Sequence, residues 1–421
     1  MLSKSSKKTL LKNTIMLYIL TFSNYLLSFI IVPYETRILG PEYYGIIGLV
    51  SAMTIYFGLF VDFGFMLSAT EEVSTHREDK SKLSAIFSAV TINKLLLSVA
   101  AMVLILAVCL CVPRWKDHIL FVFLSCVAST LSSFIPDYLY RGIEMMGAVT
   151  LRTVTVRIFF TCMVFIFVKE PTDYILIPIM QSIGHLIALT VIYVHLKVKL
   201  NVFFVRVTVR DVFVRMKVSV PFFVSRIATT AYSAANTIIL DLISGGAMTA
   251  FYTSADKIVS TAKSGLSPIS DSMYPYMVRN KDFKLVKKVL LVLEPIIILG
   301  CAVVFIWAKP ICIWFFGAEY AHTADALKAL LPIVAIILPS YILGFPTLGA
   351  MHLSKHANIS IIIASLLHII NIAVLYFTGN MSLVTIGVAT TVTECIVLTY
   401  RIIVVFKNRH LITGDNRSSE Q

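Results

Sequence analysis

Apolar runs of about twenty residues follow one another along nearly the whole chain, and few of them are interrupted by charge. Coiled into a helix at ~1.5 Å per residue, such a run crosses the ~30 Å hydrocarbon layer of a bilayer. Strands of an outer-membrane barrel would instead alternate in polarity over ~10 residues. The pattern therefore predicts an all-α polytopic membrane protein. Only 14% of the 421 residues are charged, against roughly 25% in a soluble domain. Little length remains outside the membrane, which excludes a soluble catalytic domain.

Twelve spans are expected, at 13–33, 43–64, 85–112, 118–136, 148–168, 174–194, 218–243, 247–277, 286–308, 326–348, 357–378 and 383–406. The first follows Lys4, Lys7, Lys8 and Lys12, which imitate the start of a signal peptide. Its apolar stretch is too long for a signal core, however, and no A-x-A site follows, so it reads as a span. With the N-terminus inside, Lys and Arg concentrate in the cytoplasmic connections: Arg77 to Lys82, Arg141 and Arg152, Lys197 to Lys217, Arg279 to Lys288, Lys355, and the tail from Arg401. The outer segments hold Arg37, Arg114, Lys116, Lys169, Lys309 and Lys328, a roughly fourfold bias that places both termini in the cytoplasm. This topological bias accounts for the net charge of +13 without nucleic acid.

The longest polar connection divides the spans six and six. Expected boundaries are an N-terminal six-helix bundle at 1–196, a basic cytoplasmic or interfacial connector at 197–217, a C-terminal six-helix bundle at 218–408 and a cytoplasmic tail at 409–421. Lys197, Lys199, Arg206, Arg210, Arg215 and Lys217 interleave with Val202, Phe203, Phe204, Val212 and Phe213. That mixture predicts an interfacial amphipathic helix on anionic headgroups.

Five basic residues fall inside apolar runs: Lys94, Arg157, Arg226, Lys257 and Lys263. Each costs roughly 2.5–3.5 kcal/mol at the centre of a membrane helix unless it faces a cavity or a partner. Two of them, Lys94 and Arg157, have no acidic residue within a helical turn. Bracing pairs remain an alternative, Asp256 with Lys263 or Asp241 with Arg226. For the set as a whole, a cationic cavity for an anion fits better. Arg226, Ser233 and Thr237 share one face of span seven, near Thr230 and Asn236, and Asp256, Ser260, Lys263, Ser267 and Asp271 form a stripe on span eight. Polar stripes of this kind turn away from lipid.

Asp62, Asp256, Asp271, Glu294 and Glu394 are candidates for proton or sodium coupling, because a desolvated carboxylate holds its proton more tightly. His185 and His368 read as packing histidines. The seven cysteines lie mostly in apolar runs without a C-x-x-C pair and read as small buried hydrophobes. Pro33, Pro221, Pro268 and Pro346 lie in or at the ends of spans, where they can kink them. No nucleophile elbow, metal-ligand pair or phosphate-cradling glycine loop is present, so neither an enzyme nor a bound cofactor is expected.

Asn13 to Tyr18 lead into a motif at Pro33-Tyr34-Glu35-Thr36-Arg37-Ile38-Leu39-Gly40-Pro41-Glu42 and Tyr44-Gly45. Asp62-Phe63-Gly64-Phe65-Met66-Leu67-Ser68-Ala69-Thr70 follows, and then Arg141-Gly142-Ile143-Glu144 ahead of Arg152 and Arg157. With Phe316-Gly317-Ala318-Glu319-Tyr320 and Leu330-Leu331-Pro332 further on, the chain resembles the O-antigen flippase (Wzx-type) family of polysaccharide exporters, whose superfamily also holds multidrug extruders and the lipid II flippase. Arg141 stands where that family more often has Gln. Span one carries Ser23 and Asn24 instead of the basic residue of the lipid II branch. The resemblance implies two six-helix bundles around a central cavity and alternating access. It implies an undecaprenyl-diphosphate-linked oligosaccharide as cargo, moved from the inner to the outer leaflet of the bacterial plasma membrane for lipopolysaccharide O-antigen or capsule synthesis. Membrane lipids, a polysaccharide polymerase and a chain-length regulator are the implied partners. A multidrug exporter of the same superfamily is the runner-up, though a cavity for cationic drugs should be rich in carboxylates. A polymerase or ligase would need a longer outer loop than 309–325.

Overall fold

The computed structural model describes residues 4–409, without the side chains of 4–15, 17, 20, 24, 25, 225, 228–233 and 275. The side chains of the four N-terminal lysines, Asn24, Thr230 and Ser233, and nearly all of the 409–421 tail, thus lie outside what the structure describes. Those described form α-helices, two short 3₁₀ turns and one π-helical turn, with no strand among them. The chain divides into two compact units, Met1–Thr230 and Ala231–Gln421.

The first unit opens with α1 (Lys4–Asp62). A straight helix of 59 residues would reach ~90 Å, three bilayer thicknesses. Gly40 breaks it, with φ 68° and ψ 175°, and Pro41 follows. Such a backbone suits a residue without Cβ, and it separates the two expected spans as two arms. Phe63 (φ 43°) and Gly64 (φ 81°) turn the chain into α2 (Phe65–Thr75). Next come α3 (Lys80–Cys111), whose first N–H groups are capped by Asp79, then α4 (Pro113–Lys116), α5 (Ile119–Ser133), α6 (Asp137–Gly142) and α7 (Met146–Phe167). A 3₁₀ turn (Pro171–Ile175) leads to α8 (Leu176–Lys199). Here α1 packs on α3, α5 and α7, while α8 lies on α5 and α7. Phe65, Leu83, Ile86, Phe87, Tyr138 and Leu139 anchor the apolar core.

The 197–217 connector differs from the amphipathic helix expected there. Residues 201–208 form no helix, Asn201 taking a left-handed φ of 53°, and helix resumes only with α9 (Val209–Ser244). Val205, Val207 and Val209 alternate with Arg206 and Thr208, a period of two that favours extended backbone. This stretch is tied to α3, its N–H groups at Phe203 and Val205 donating to Ser84 Oγ (3.4 Å) and Ser88 Oγ (2.9 Å).

The second unit holds the end of α9, α10 (Gly246–Asn280), α11 (Phe283–Ile306), α12 (Ala308–Phe316), α13 (Thr323–Ile342), α14 (Ser354–Phe377) and α15 (Leu383–Lys407). At its centre is α13, with Leu327, Leu330, Ile333, Ile337 and Leu338 buried, and it contacts α10, α11 and α15. It ends in a π-helical turn (Leu343–Leu348). Pro346 supplies no N–H for the carbonyl of Ile342, which accepts instead from the Thr347 hydroxyl (2.8 Å). The preceding carbonyls of Tyr341 and Ser340 accept from Ser270 (3.1 Å) and Arg401 (2.6 Å).

Helix underlies every expected span. Nine stretches among the described residues are long and apolar enough to cross a membrane, the first (Thr21–Thr75) containing both arms of α1. The protein is a multi-pass membrane protein. In α9 the apolar part among the described residues is short, Ala234–Ser244, and α10 carries Asp256, Lys263 and Asp271 of the stripe read from the sequence.

Candidate functional site

Two adjoining cavities open among the helices of the first unit. The larger, about 410 Å³, is lined by Asp137, Arg141, Arg152, Arg157, Gln181 and His185 among others. The smaller, about 270 Å³, shares Ser132, Gln181 and His185 with it. One face of α7 supplies Val149, Arg152 and Val156 at i, i+3 and i+7, and α8 meets it through Gly184. A Cβ at Gly184 would stand 3.3 Å from Val156 Cγ1, so glycine keeps this wall open.

The larger cavity has three arginines against one carboxylate. Arg152 takes both oxygens of Asp137, at 2.6 and 3.1 Å, in a bidentate pair, and also donates to Thr153. Arg157 donates to the Ser28 hydroxyl. Three guanidinium groups thus line the space beside one carboxylate among the described residues, in a form that recognises phosphate or carboxylate through paired N–H donors. The smaller cavity is neutral. Its Thr54 and Ser125 hydroxyls donate to backbone carbonyls of their own helices (Ser51 and Phe121). Their oxygens are left as acceptors, complementary to sugar hydroxyls.

Of the five basic residues singled out by sequence, Arg157 lines this cavity. Lys94 is 4% exposed and lies 3.5 Å from Asp62 Oδ1, donates to the Ser133 carbonyl (2.9 Å) and sits over the Tyr138 ring. Arg226 Nη1 donates to Asp62 Oδ2 at 2.8 Å. One carboxylate at the end of α1 therefore joins α3 and α9. Although Lys94 lacks an acid on its own helix, burial of its ammonium is matched by one from another. In the second unit, Lys263 donates to Glu394 at 2.7 Å. The braces weighed from sequence joined Lys263 to Asp256 and Arg226 to Asp241; the ion pairs observed are Lys263–Glu394 and Arg226–Asp62. Lys257 is half-buried on α10.

The candidate coupling carboxylates divide accordingly. Asp62 and Glu394 are held by cations. Asp256 and Asp271 are exposed on α10, and Glu294 on α11 has a buried Oε2 with no partner among the described residues.

The motif residues are structural joints. Pro33 sits within α1 one turn before Arg37. Tyr34 donates to Val168 O (2.8 Å) and packs its ring on Phe165, tying α1 to the end of α7. Gly40 makes the break in α1, and Gly45 is buried one turn further on. A Cβ on Gly64 would lie 2.8 Å from Phe222 Cβ and 2.9 Å from Ser219 O, so this glycine allows α9 its close approach beside Asp62. At Gly142 a Cβ would collide with Val73. Glu144 has φ 63° and pairs with Arg77 at 3.5 Å.

Several site residues escaped the sequence reading. Arg141 and Arg152 were counted among cytoplasmic loop charges, yet they line the cavity; their signal was proximity to Asp137 and Arg157 along α6 and α7. Arg401, assigned to the tail, is 5% exposed on α15. It donates to Ser340 O, Ser340 Oγ, Ser360 Oγ and Ala357 O. His185, expected to be packed and satisfied, has a buried Nδ1 on the cavity wall with no partner among the described residues. His368 does behave as a packing residue, its nitrogens bonded to Asn236 Oδ1 (2.8 Å) and Thr393 Oγ1 (2.7 Å).

Residues 10–281 match the polysaccharide biosynthesis protein family. The chain belongs to that family. A protein of Escherichia coli K12, provisionally named an O-antigen transporter, is 29% identical over 97% of this chain and 99% of its own length. One of Shigella dysenteriae with the same provisional name is 27% identical over 79% and 84%. Among solved structures, the lipid II flippase MurJ in an inward closed conformation superposes with TM-score 0.67 at 16% identity, covering 93% of this chain and 87% of that one. An inward-facing multidrug resistance MATE family transporter gives 0.66 at 14% identity over 97% and 100%. At these identities the likeness establishes the fold, that of the flippases and multidrug transporters.

Proposed function

We propose that this polysaccharide biosynthesis family member is a transporter that moves an undecaprenyl-diphosphate-linked oligosaccharide of O-antigen or capsule type. It carries this lipid from the inner to the outer leaflet of the bacterial plasma membrane through twelve spans and alternating access. The observation that carries the reading is the arginine surplus in the α5–α8 cavity. Arg141, Arg152 and Arg157 line one space in which Asp137, the one carboxylate lining it among the described residues, is already spanned by Arg152. A diphosphate offers the charge that this surplus lacks, and the adjoining hydroxyl-lined space suits the first sugars. Arg141 and Arg152 lie on the side that the charge bias assigns to the cytoplasm, where an inner-leaflet headgroup would enter.

The names of the E. coli and Shigella relatives support the cargo class, and the fold likeness supports a transporter over a polymerase. Complementation of a flippase-null strain tests the reading. Arg141→Ala, Arg157→Ala and Arg152→Gln should each reduce surface polysaccharide at normal membrane levels, and Arg157→Glu should abolish it. Full complementation by the Arg141→Ala/Arg157→Ala double variant would overturn it.

A further inference from the structure

A third cavity of the first unit, about 380 Å³, lies between α7 and α8 and is almost wholly apolar. Its floor is buried: Val149, Ala188 and Ile192, beside Ala148. Its rim is exposed, with Leu151 at 72%, Ile187 at 51% and Val191 at 61%. On helices this apolar, such a rim faces hydrocarbon. What distinguishes the groove from any other lipid-facing hollow is its back wall. Val149, Arg152 and Val156 line both it and the arginine cavity, so a single face of α7 separates a hydrocarbon-lined slot from a surplus of guanidinium.

We propose that this groove seats the first isoprene units of a polyprenyl diphosphate whose phosphates lie on Arg152 and its neighbours. The inference rests on the headgroup reading above and adds where the chain leaves the cavity. Charge selects a lipid with a multiply anionic head. The shared wall then requires chain and head to diverge at Arg152, and the Asp137 pair holds that guanidinium in place at the divide. Ala188 on the floor leaves room for branched methyl groups that a Phe there would exclude.

The test uses the full-length protein in nanodiscs with a photoreactive residue at Ile187 or Val191, and at Leu104 on α3 as a lipid-facing control (62% exposed). The probe is radiolabelled polyprenyl diphosphate. Crosslinking at the groove should exceed that at Leu104 about tenfold, and survive a hundredfold excess of phosphatidylglycerol. It should fall at least fivefold with Val191→Trp, a rim substitution that needs no burial, or with Ala188→Phe. Equal yields at groove and control, or full competition by phosphatidylglycerol, would identify an ordinary annular lipid position and overturn the proposal. Two results separate it from the headgroup reading. Probe binding that depends on Arg152 and Arg157 without groove crosslinks sinks the groove alone. Binding indifferent to both arginines sinks the headgroup reading.

Discussion

Arg226 Nη1 lies 2.8 Å from Asp62 Oδ2, and the second oxygen of the same carboxylate stands 3.5 Å from Lys94. Two cations on α9 and α3 thus share one anion at the end of α1. Lys94 is the more exposed to loss, since Arg226 keeps 42% of its side chain accessible while Lys94 keeps 4%. Asp62→Asn should destabilise the protein by about 3–5 kcal/mol, the cost of leaving a buried charge uncompensated. Lys94→Met in the same chain should restore part of it. Thermal unfolding in detergent, followed by size-exclusion chromatography, reads both; an Asp62→Asn melt unchanged from wild type would contradict the assignment.

Two glycines in helical surroundings should respond in opposite ways. Gly64→Ala places a Cβ against α9 in a left-handed backbone, costing roughly 1–2 kcal/mol for the conformation and more for the overlap. Gly147→Ala, with nothing within 4 Å, should be neutral or stabilising by about 0.5–1 kcal/mol. Matching melts of the two variants would refute the difference.

Lys263 and Glu394 lock α10 to α15 at 2.7 Å, with 25% and 7% of their side chains accessible. Lys263→Glu or Glu394→Lys alone should each lower folded yield several-fold, and the double exchange should recover at least half. A double variant as poor as either single one would show that packing around the pair, and not its charge, is what matters.

A pH effect is expected where the connector becomes helix. Asp211 accepts from the Thr208 hydroxyl (2.7 Å) and N–H (3.1 Å), while its own N–H donates to Thr208 Oγ1. This reciprocal cap holds its carboxyl below the usual carboxylate range. A lowered folded value means the cap is fully present above the unfolded pKa of about 4 and is lost as pH falls through the folded value. Amide exchange at Thr208 and Asp211, the two N–H groups the cap holds, should quicken below that point in wild type. In Asp211→Asn it should be pH-independent once the intrinsic rate is removed; parallel profiles would refute the cap.

The helices were legible because hydropathy alone decides which segments leave water. The joints were legible too: Gly40-Pro41 and Phe63-Gly64 announce backbone that ordinary residues avoid. Ion pairing was not. Lys263 and Glu394 lie 131 positions apart, and which anion meets which cation is set by the rotation of packed helices, a quantity without local sequence trace. Arg141 and Arg152 show a second reason. The positive-inside bias and an anion-binding wall draw on the same residue types at the same end of a helix, so sequence assigned both arginines to the commoner use. In the connector, apolar and basic residues were counted as composition, while the two-residue alternation of Val205 to Val209 was the deciding signal.

Arg401 has a consequence for biogenesis. Its acceptors come from Ser340, Ala357 and Ser360, and all three leave the ribosome before it does. A guanidinium cannot shed its charge to enter the bilayer, and an unmatched one costs roughly 2.5–3.5 kcal/mol on insertion. The broken end of α13 and the first turns of α14 are thus a prepared berth into which α15 is received, and its membrane entry is vectorial. A chain with Gly344→Leu, crowding that berth where Arg401 Nη1 now lies 3.0 Å from a Cβ position, would fail at the translocon before it failed at transport.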